Sequence, residues 1–250
     1  MKLFDAPNTM FPFELPNKSE YAARFIESLN GYEITVPNGK LIFIEHFFNP
    51  EESKLFLEDL TANQNNLPVD SPSWNAMNEK DLIAVKFNKI QWQQDKIKLF
   101  GKSIAIPRFS AWYGDAELAY TYSGLTLYTH PWIKTLLSIK KKIENVSGEL
   151  FNSVLLNWYR NGSDSMSWHA DNEKELGENP IIASVNFGAT RKFLLRYNLN
   201  TKDKITFHLS NGSLLLMQGA LQHFWQHAIP KTKKVHHPRI NLTFRRIFNT

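Results

Sequence analysis

The sequence contains no cysteine. That absence removes disulfides, zinc–thiolate sites, iron–sulfur clusters and thiol nucleophiles together, and it fits a reducing compartment. No apolar run reaches 18 residues, so no transmembrane helix is expected. The opening Met1-Lys2-Leu3-Phe4-Asp5-Ala6-Pro7 lacks the apolar stretch of a secretory signal. A cytoplasmic location, nuclear in a eukaryote, is the corresponding expectation. Internal repeats and low-complexity tracts are missing as well. With 42% hydrophobic and 21% charged residues, a disordered tail, a collagen and a coiled coil are excluded. A chain of 250 residues can bury a core without staples, and one sandwich or barrel domain can be this long. The formal charge of +5 is compatible with a polyanionic partner. The 13% aromatic content suits base stacking and a β-rich core equally.

Residues 1–40 are rich in proline and asparagine and read as an irregular leader with one short helix around Glu20–Leu29. Leu41-Ile42-Phe43-Ile44 reads as a strand. Asn49-Pro50-Glu51-Glu52 is a helix start, with an N-cap, a proline in the first turn and acids behind it, and the helix should run to about Asn63. Residues 64–80 look like a loop. Ile83 to Ile106 reads as two strands around a connection, with lysines scattered through it. His130-Pro131 opens a helix whose Trp132, Ile133, Leu136, Leu137, Ile143 and Val146 keep near-helical spacing. After Gly148 the texture changes to eight short β-rich runs: 151–160, 167–171, 181–188, 192–197, 204–209, 213–218, 224–229 and 240–247. Strands of this length and spacing predict a sandwich or jelly roll with the helices packed outside it.

His169-Ala170-Asp171 places an imidazole and a carboxylate at alternate positions, which share a face if the segment is a strand. These are two metal ligands, and either His223 or His227 is available as a third. Two histidines and a carboxylate form the facial triad of non-haem Fe(II) oxygenases, which leaves coordination positions open. The donor set also suits Mn(II) and other divalent metals. Arg239-Ile240-Asn241-Leu242-Thr243-Phe244-Arg245 alternates polar and apolar residues without a break. Its polar face carries two guanidinium groups with an amide between them, a cradle for a dicarboxylate. Asn157 and Tyr159 share a face of another run and can hydrogen-bond a small polar ligand.

Taken together, the stretch from Ile106 to Ile247 resembles the AlkB family of Fe(II)/2-oxoglutarate dioxygenases, nearest the branch of animal DNA-repair homologues two and three. The resemblance is carried by Pro107-Arg108, Tyr113-Gly114-Asp115-Ala116, Tyr120-Thr121-Tyr122-Ser123-Gly124, Asn157-x-Tyr159-x-x-Gly162 and His169-x-Asp171-x-Glu173. It continues through Ala183-Ser184-Val185-x-Phe187-Gly188, Gly212-Ser213-Leu214, His227-x-Ile229-Pro230 and Pro238-Arg239-x-Asn241-Leu242-Thr243-Phe244-Arg245.

The resemblance implies His169, Asp171 and His227 as Fe(II) ligands, with His227 rather than His223 as the third. It assigns Arg239 to the distal carboxylate of 2-oxoglutarate and Arg245 to the carboxylate beside the keto group, with Asn157, Tyr159 and Asn241 completing that pocket. O₂ is the second co-substrate. The implied fold is mainly β with flanking helices (α+β). A double-stranded β-helix, or jelly-roll, core over 148–250 carries an α/β nucleotide-recognition extension over 41–147, in one compact domain.

The implied activity is oxidative dealkylation of 1-methyladenine and 3-methylcytosine in DNA, duplex favoured and single strands possible, releasing formaldehyde and succinate. Tyr120, Tyr122 and Glu173 would form the base pocket, because an aromatic face and an acid suit a cationic base. Leu99-Phe100-Gly101-Lys102 resembles a finger pushed into the stack vacated by a flipped base, with Phe100 as the wedge, and Arg108 matches a backbone-contacting arginine. Trp158 and Trp168 are expected to flank the site. An RNA demethylase with the same chemistry and a non-catalytic nucleic-acid-binding module are the alternatives. A monomer with no membrane association is expected.

Overall fold

The computed structural model describes residues 11–77, 79–99, 102–116, 118–122 and 125–248. Two sheets face each other. The chain first lays down β1 (Phe13–Glu14), β2 (Ala22–Ile26), β3 (Gly31–Val36) and β4 (Gly39–Ile44). Residues 11–40 are therefore not an irregular leader. β2, β3 and β4 pair in succession and extend the larger sheet, and β1 edges the smaller one. The helix expected near Glu20–Leu29 is a single 3₁₀ turn at Glu27–Leu29.

Helix α1 (Pro50–Thr61) begins where its capping signal stands. The Asn49 side chain accepts from the Glu52 backbone N–H at 2.8 Å, and the Glu52 carboxylate accepts from the Asn49 N–H at 3.0 Å. This reciprocal pair satisfies two of the first-turn donors. The expected loop at 64–80 holds the short α2 (Ser73–Ala76), which buries Trp74. The two strands expected over 83–106 are present as β5 (Lys96–Leu99) paired with β6 (Lys102–Ala105), but they occupy only its later part, since Ile83 lies in α3 (Glu79–Ala84). Next come β7 (Phe109–Gly114), the β8 (Ala119–Tyr122)–β9 (Leu125–Tyr128) pair and β10 (His130–Pro131). His130-Pro131 does not open the next helix. It ladders in parallel onto Tyr113-Gly114, and α4 (Lys134–Ser147) starts after it. Leu136, Ile139 and Ile143 of α4 are buried, whereas Leu137 points to solvent.

All eight C-terminal strands are present: β11 (Ser153–Tyr159), β12 (Met166–His169), β13 (Ile182–Gly188), β14 (Arg191–Tyr197), β15 (Asn200–Leu209), β16 (Leu214–Gln218), β17 (Trp225–Ile229) and β18 (Arg239–Arg245). One-turn α5 (Leu221–Phe224) leads into β17. The larger sheet runs β10-β7-β11-β18-β13-β16-β4-β3-β2, and the smaller runs β1-β15-β14-β17-β12. Apart from the parallel β10–β7 pair, the ladders in both are antiparallel. No helix of the described residues is long and apolar enough to cross a membrane.

Period-two alternation builds two cores from one sheet. Val154, Leu156, Val185, Ile240, Leu242 and Phe244 face α1, α2 and α4. The opposite residues of the same strands look toward the smaller sheet, where Phe193, Leu195, Ile205 and Phe207 meet Leu215 and Met217. The polar face of β18 consequently points between the sheets. Arg239 is 1% exposed and Asn241 and Thr243 are buried. Buried cations need partners, so this face is a site and not a solvated surface.

Candidate metal and co-substrate site

β12 and β17 are neighbours, with His169 directly opposite His227 and their ring centroids 4.1 Å apart. The strand carrying His169 ends there. Asp171 lies in the irregular segment beyond it, so the two do not share a strand face as the spacing suggests. The ladder is already irregular between Met166 and His169, and the chain turns in after the last pair. Even so, one ligand atom from each of His169, Asp171 and His227 falls within 4.8 Å of the others, and no other such cluster occurs among the described residues. His169 Nδ1 sits 2.8 Å from the Ser167 carbonyl, which leaves Nε2 to face the cluster. His223 lies elsewhere, against the Glu178 carbonyl.

Electrostatics prepare these groups to bind a cation. Burial raises the Asp171 carboxyl pKa, but Arg245, His227 and His169 outweigh it and hold it at about 2. Burial together with the charge of His169 takes His227 down to about 3, against the pull of Asp171, so its ring is neutral at physiological pH. His227 Nδ1 is buried without a hydrogen-bond partner among the described residues. Arg245 Nη2 is 2.9 Å from Asp171 Oδ1, which leaves Oδ2 as the freer oxygen.

The triad opens into a cavity of about 450 Å³ of non-protein space, mouth included, lined by Asn157, Tyr159, Arg239, Asn241 and Arg245 among others. All five residues expected to hold the co-substrate therefore converge on the metal cluster. Tyr159 lies under the Arg239 guanidinium at 5.1 Å. Burial takes the Arg239 pKa down to about 10, Tyr159 opposing and Arg191 assisting, so it stays charged. Arg239 Nη2 donates to Asn186 Oδ1, but Nε and Nη1 are buried with no partner among the described residues. Two unsatisfied donors on a buried cation are what a carboxylate would complete. Asn241 faces the cavity with its amide donors already given to Ser184 Oγ and the Val185 carbonyl, at 2.8 and 3.0 Å. Its part in the wall is to tie β13 to β18.

Arg108, expected to meet a nucleic-acid backbone, donates through Nε to Asn157 Oδ1 at 2.7 Å and so reaches the rim of this cavity. Glu173 caps the 3₁₀ turn Lys174–Leu176. It is half-buried and does not line the cavity, and the segment is not a strand, so it shares no strand parity with Asp171. Tyr120 and Tyr122 lie on β8, Leu99 on β5 and Lys102 on β6, their side chains outside the description. Phe100 and Gly101 lie outside the described residues. Trp158 is on the helix side of β11, packed 4.9 Å from Trp74 and away from the cavity. Trp168 lies under Arg196 at 4.3 Å on the outer side of the smaller sheet.

Four residues contribute to the site without having been given a role by the sequence. Ser184 and Asn186 alternate with apolar residues along β13, the same signal that exposed the β18 face. Arg191 is fully buried, donating to the carbonyls of Asn161, Asp164 and Pro230. Gln222 accepts from the Asp171 backbone N–H. The last two are single polar residues without a periodic context, and nothing local marks them.

The profile of the 2OG-Fe(II) oxygenase superfamily matches residues 40–245 of this chain. The chain is 47% identical over 151 residues to alkB homolog 3 of Bos taurus, described as an alpha-ketoglutarate-dependent dioxygenase, which is 57% of this chain and 52% of the relative. It is 42% identical over 162 residues to the DNA oxidative demethylase ALKBH2 of Mus musculus, 62% of this chain and 68% of the relative. For ALKBH2 of Homo sapiens the figures are 43% over 163 residues and 62% of each chain. The chain thus spans about half to two thirds of the length of these relatives. Among solved structures, that of OsALKBH1 superposes with a TM-score of 0.50 at 14% identity, over 82% of this chain and 96% of the other. A prolyl hydroxylase from Trichoplax adhaerens also superposes at 0.50, with 12% identity, over 83% of this chain and 84% of that one. These structural likenesses speak for the fold.

Proposed function

This chain belongs to the AlkB branch of the 2OG-Fe(II) oxygenase superfamily, and from that premise we propose that it removes alkyl groups from N-alkylated bases of DNA by oxidation. The observation that carries the chemistry is one cavity holding both a His-Asp-His cluster and a buried arginine with two unpartnered nitrogens. The donor set suits Fe(II), and the arginine suits the distal carboxylate of a keto dicarboxylic acid. When bound with O₂, Fe(II) and 2-oxoglutarate would supply the oxidation that turns an N-methyl group into an N-hydroxymethyl group, which leaves as formaldehyde, with succinate and CO₂ as co-products.

This chain's own residues do the placing. Arg239 would orient the co-substrate from its far end, and Arg245 reaches the near end while neutralising Asp171. Tyr159 walls the pocket under the Arg239 guanidinium. Asn157, held by Arg108, fixes the rim. The neutral His227 ring accepts a metal without first losing a proton. Burial of Asp171 and His227 limits competition from water, while the half-buried His169 stands at the open side.

DNA as substrate rests on the names of the ALKBH2 relatives and on the motif match. In this reading Tyr120 and Tyr122 stack on a cationic 1-methyladenine or 3-methylcytosine, and Glu173 reads its edge. The base must leave the duplex to reach the cavity, and Leu99-Phe100-Gly101-Lys102 fills the gap. A monomer acting in the cytoplasm, or in the nucleus of a eukaryote, goes with this assignment.

The test is formaldehyde release with Fe(II), 2-oxoglutarate and a duplex carrying one N1-methyladenine, beside the single strand and an Asp171→Ala control. Turnover on the duplex that disappears in the control is expected. Turnover on the single strand alone would remove the duplex assignment. Consumption of 2-oxoglutarate without formaldehyde from either substrate would overturn the substrate while keeping the oxygenase.

A further inference from the structure

Asp171 is the one metal ligand that no β-ladder holds. His169 and His227 face each other across β12 and β17, and Asp171 lies past the end of that ladder. Its backbone N–H donates instead to Oε1 of Gln222, at 3.0 Å in a buried contact. Gln222 is 1% exposed and belongs to α5, five residues before His227. Among the described residues its amide nitrogen meets only the Met217 sulfur, at 3.7 Å. A buried polar side chain whose one strong bond goes to a ligand's backbone has no evident second purpose.

The segment carrying Gln222 is itself anchored. Leu221 is buried and packs so closely on Gly39 that a Cβ there would lie 2.9 Å from its own. Trp225 is fully buried and donates through Nε1 to the Pro37 carbonyl at 2.9 Å. The stretch 221–227 is thus fixed at both ends against the β3–β4 turn. From that base it presents a ligand through His227 and a tether through Gln222.

We infer that Gln222 is a positioning residue for the metal: through the Asp171 backbone it sets where the carboxylate stands relative to the two histidines. The inference rests on the triad being a metal site. Without the tether, the Asp171 segment keeps its side-chain contact with Arg245 but loses its backbone restraint. Outer partners of metal ligands typically change affinity by about 10–100-fold when removed.

The test is calorimetric titration of the full metal-stripped chain with Mn(II), in the absence of any substrate. Gln222→Leu keeps the volume and removes the acceptor, and Gln222→Asn keeps the amide but is too short to reach. Both are expected to weaken Mn(II) binding by about tenfold or more. Gln222→Glu keeps the reach and an acceptor oxygen and should bind close to wild type. Ile143→Ala, a core truncation in α4 far from the cavity, separates positioning from general loss of stability and should leave Mn(II) affinity unchanged. If Gln222→Leu does not fold, the Asn and Glu variants decide the matter alone. Wild-type affinity in both Gln222→Leu and Gln222→Asn, or equal weakening in Ile143→Ala, would overturn the positioning role while leaving the metal site intact. Equal Mn(II) binding by wild type and Asp171→Ala would overturn the metal site itself, and the positioning role with it.

Discussion

The two paired sheets and the two lone hairpins of this molecule hold their side chains on different terms. The metal and co-substrate residues stand on β11, β12, β17 and β18 or just beyond them, inside a nine-stranded and a five-stranded sheet packed face to face. The finger and the two tyrosines proposed for the nucleic acid stand on β5–β6 and β8–β9, each a two-stranded sheet with no ladder to either large one among the described residues, while Arg108 and Glu173 stand elsewhere. A lone hairpin is marginal by itself, whereas β11, β17 and β18 have neighbours on both sides and the edge strand β12 is laddered onto β17. On the hairpins Ile104 and Tyr128 are exposed, while Arg239 and Asp171 are sealed in. The lesson is a division of labour. Chemistry that tolerates little displacement is built into the sheets, and under the proposed function recognition of the nucleic acid would fall to the two hairpins.

That contrast can be broken most severely at Arg239. Under the proposed function, replacing it with methionine would remove two charge-assisted bonds to the co-substrate, each worth about 1.5–3 kcal/mol. The expected result is a loss of about a hundredfold or more in 2-oxoglutarate affinity, read from the KM for succinate formation. Tyr120→Ala should do the opposite, sparing succinate formation without DNA and lowering formaldehyde release.

Acid should separate the two regions next. In the metal-free protein His227 sits at about 3, below its ordinary 6.5, so between these values the unfolded chain binds a proton that the folded chain refuses. Stability therefore falls as pH is lowered through that window. Asp171, held at about 2, extends the loss below pH 4. Urea denaturation against pH should show a decline of a few kcal/mol, flattened in His227→Asn.

Gly162→Ala is expected to cost about 1–3 kcal/mol by overpacking. A Cβ there would fall 2.1 Å from the Thr232 carbonyl oxygen, and the glycine already exchanges backbone bonds with Thr232 and Val235 at 2.8 Å. Thermal melting is the measurement. Asn49→Ala, at the cap of α1 and remote from both regions, should cost only about 1 kcal/mol and leave both activities unchanged.

The legible parts of the sequence were those with a period. Eight strands after Gly148 announce themselves by alternation, and the cradle on β18 is visible because four polar residues alternate with three apolar ones. Within residues 11–40, β2 hides because it is an edge with Arg24 and Phe25 both exposed and no buried face to impose a pattern, whereas β3 does bury Ile34 and Val36 at alternate positions. The His169-x-Asp171 spacing identified the right ligands with the wrong geometry. Parity reports which face a strand residue takes, and it carries no information about where the strand stops. Gln222 and Arg191 escape because a single buried polar residue is indistinguishable in sequence from an exposed one.

The placement of β18 has a consequence for how the molecule is made. It is the last of the described strands in the chain, yet it lies in the middle of the larger sheet, between β11 and β13. While a ribosome is still translating, β11 and β13 have no partner along those edges, and neither arginine of the cradle exists. The sheet closes only when residue 245 emerges, joining segments first synthesised nearly a hundred residues apart. Assembly is then governed by long-range pairing, which is slow and leaves open edges exposed to other chains meanwhile. A nascent or truncated product lacking β18 is therefore expected to be both without its arginine cradle and prone to aggregate.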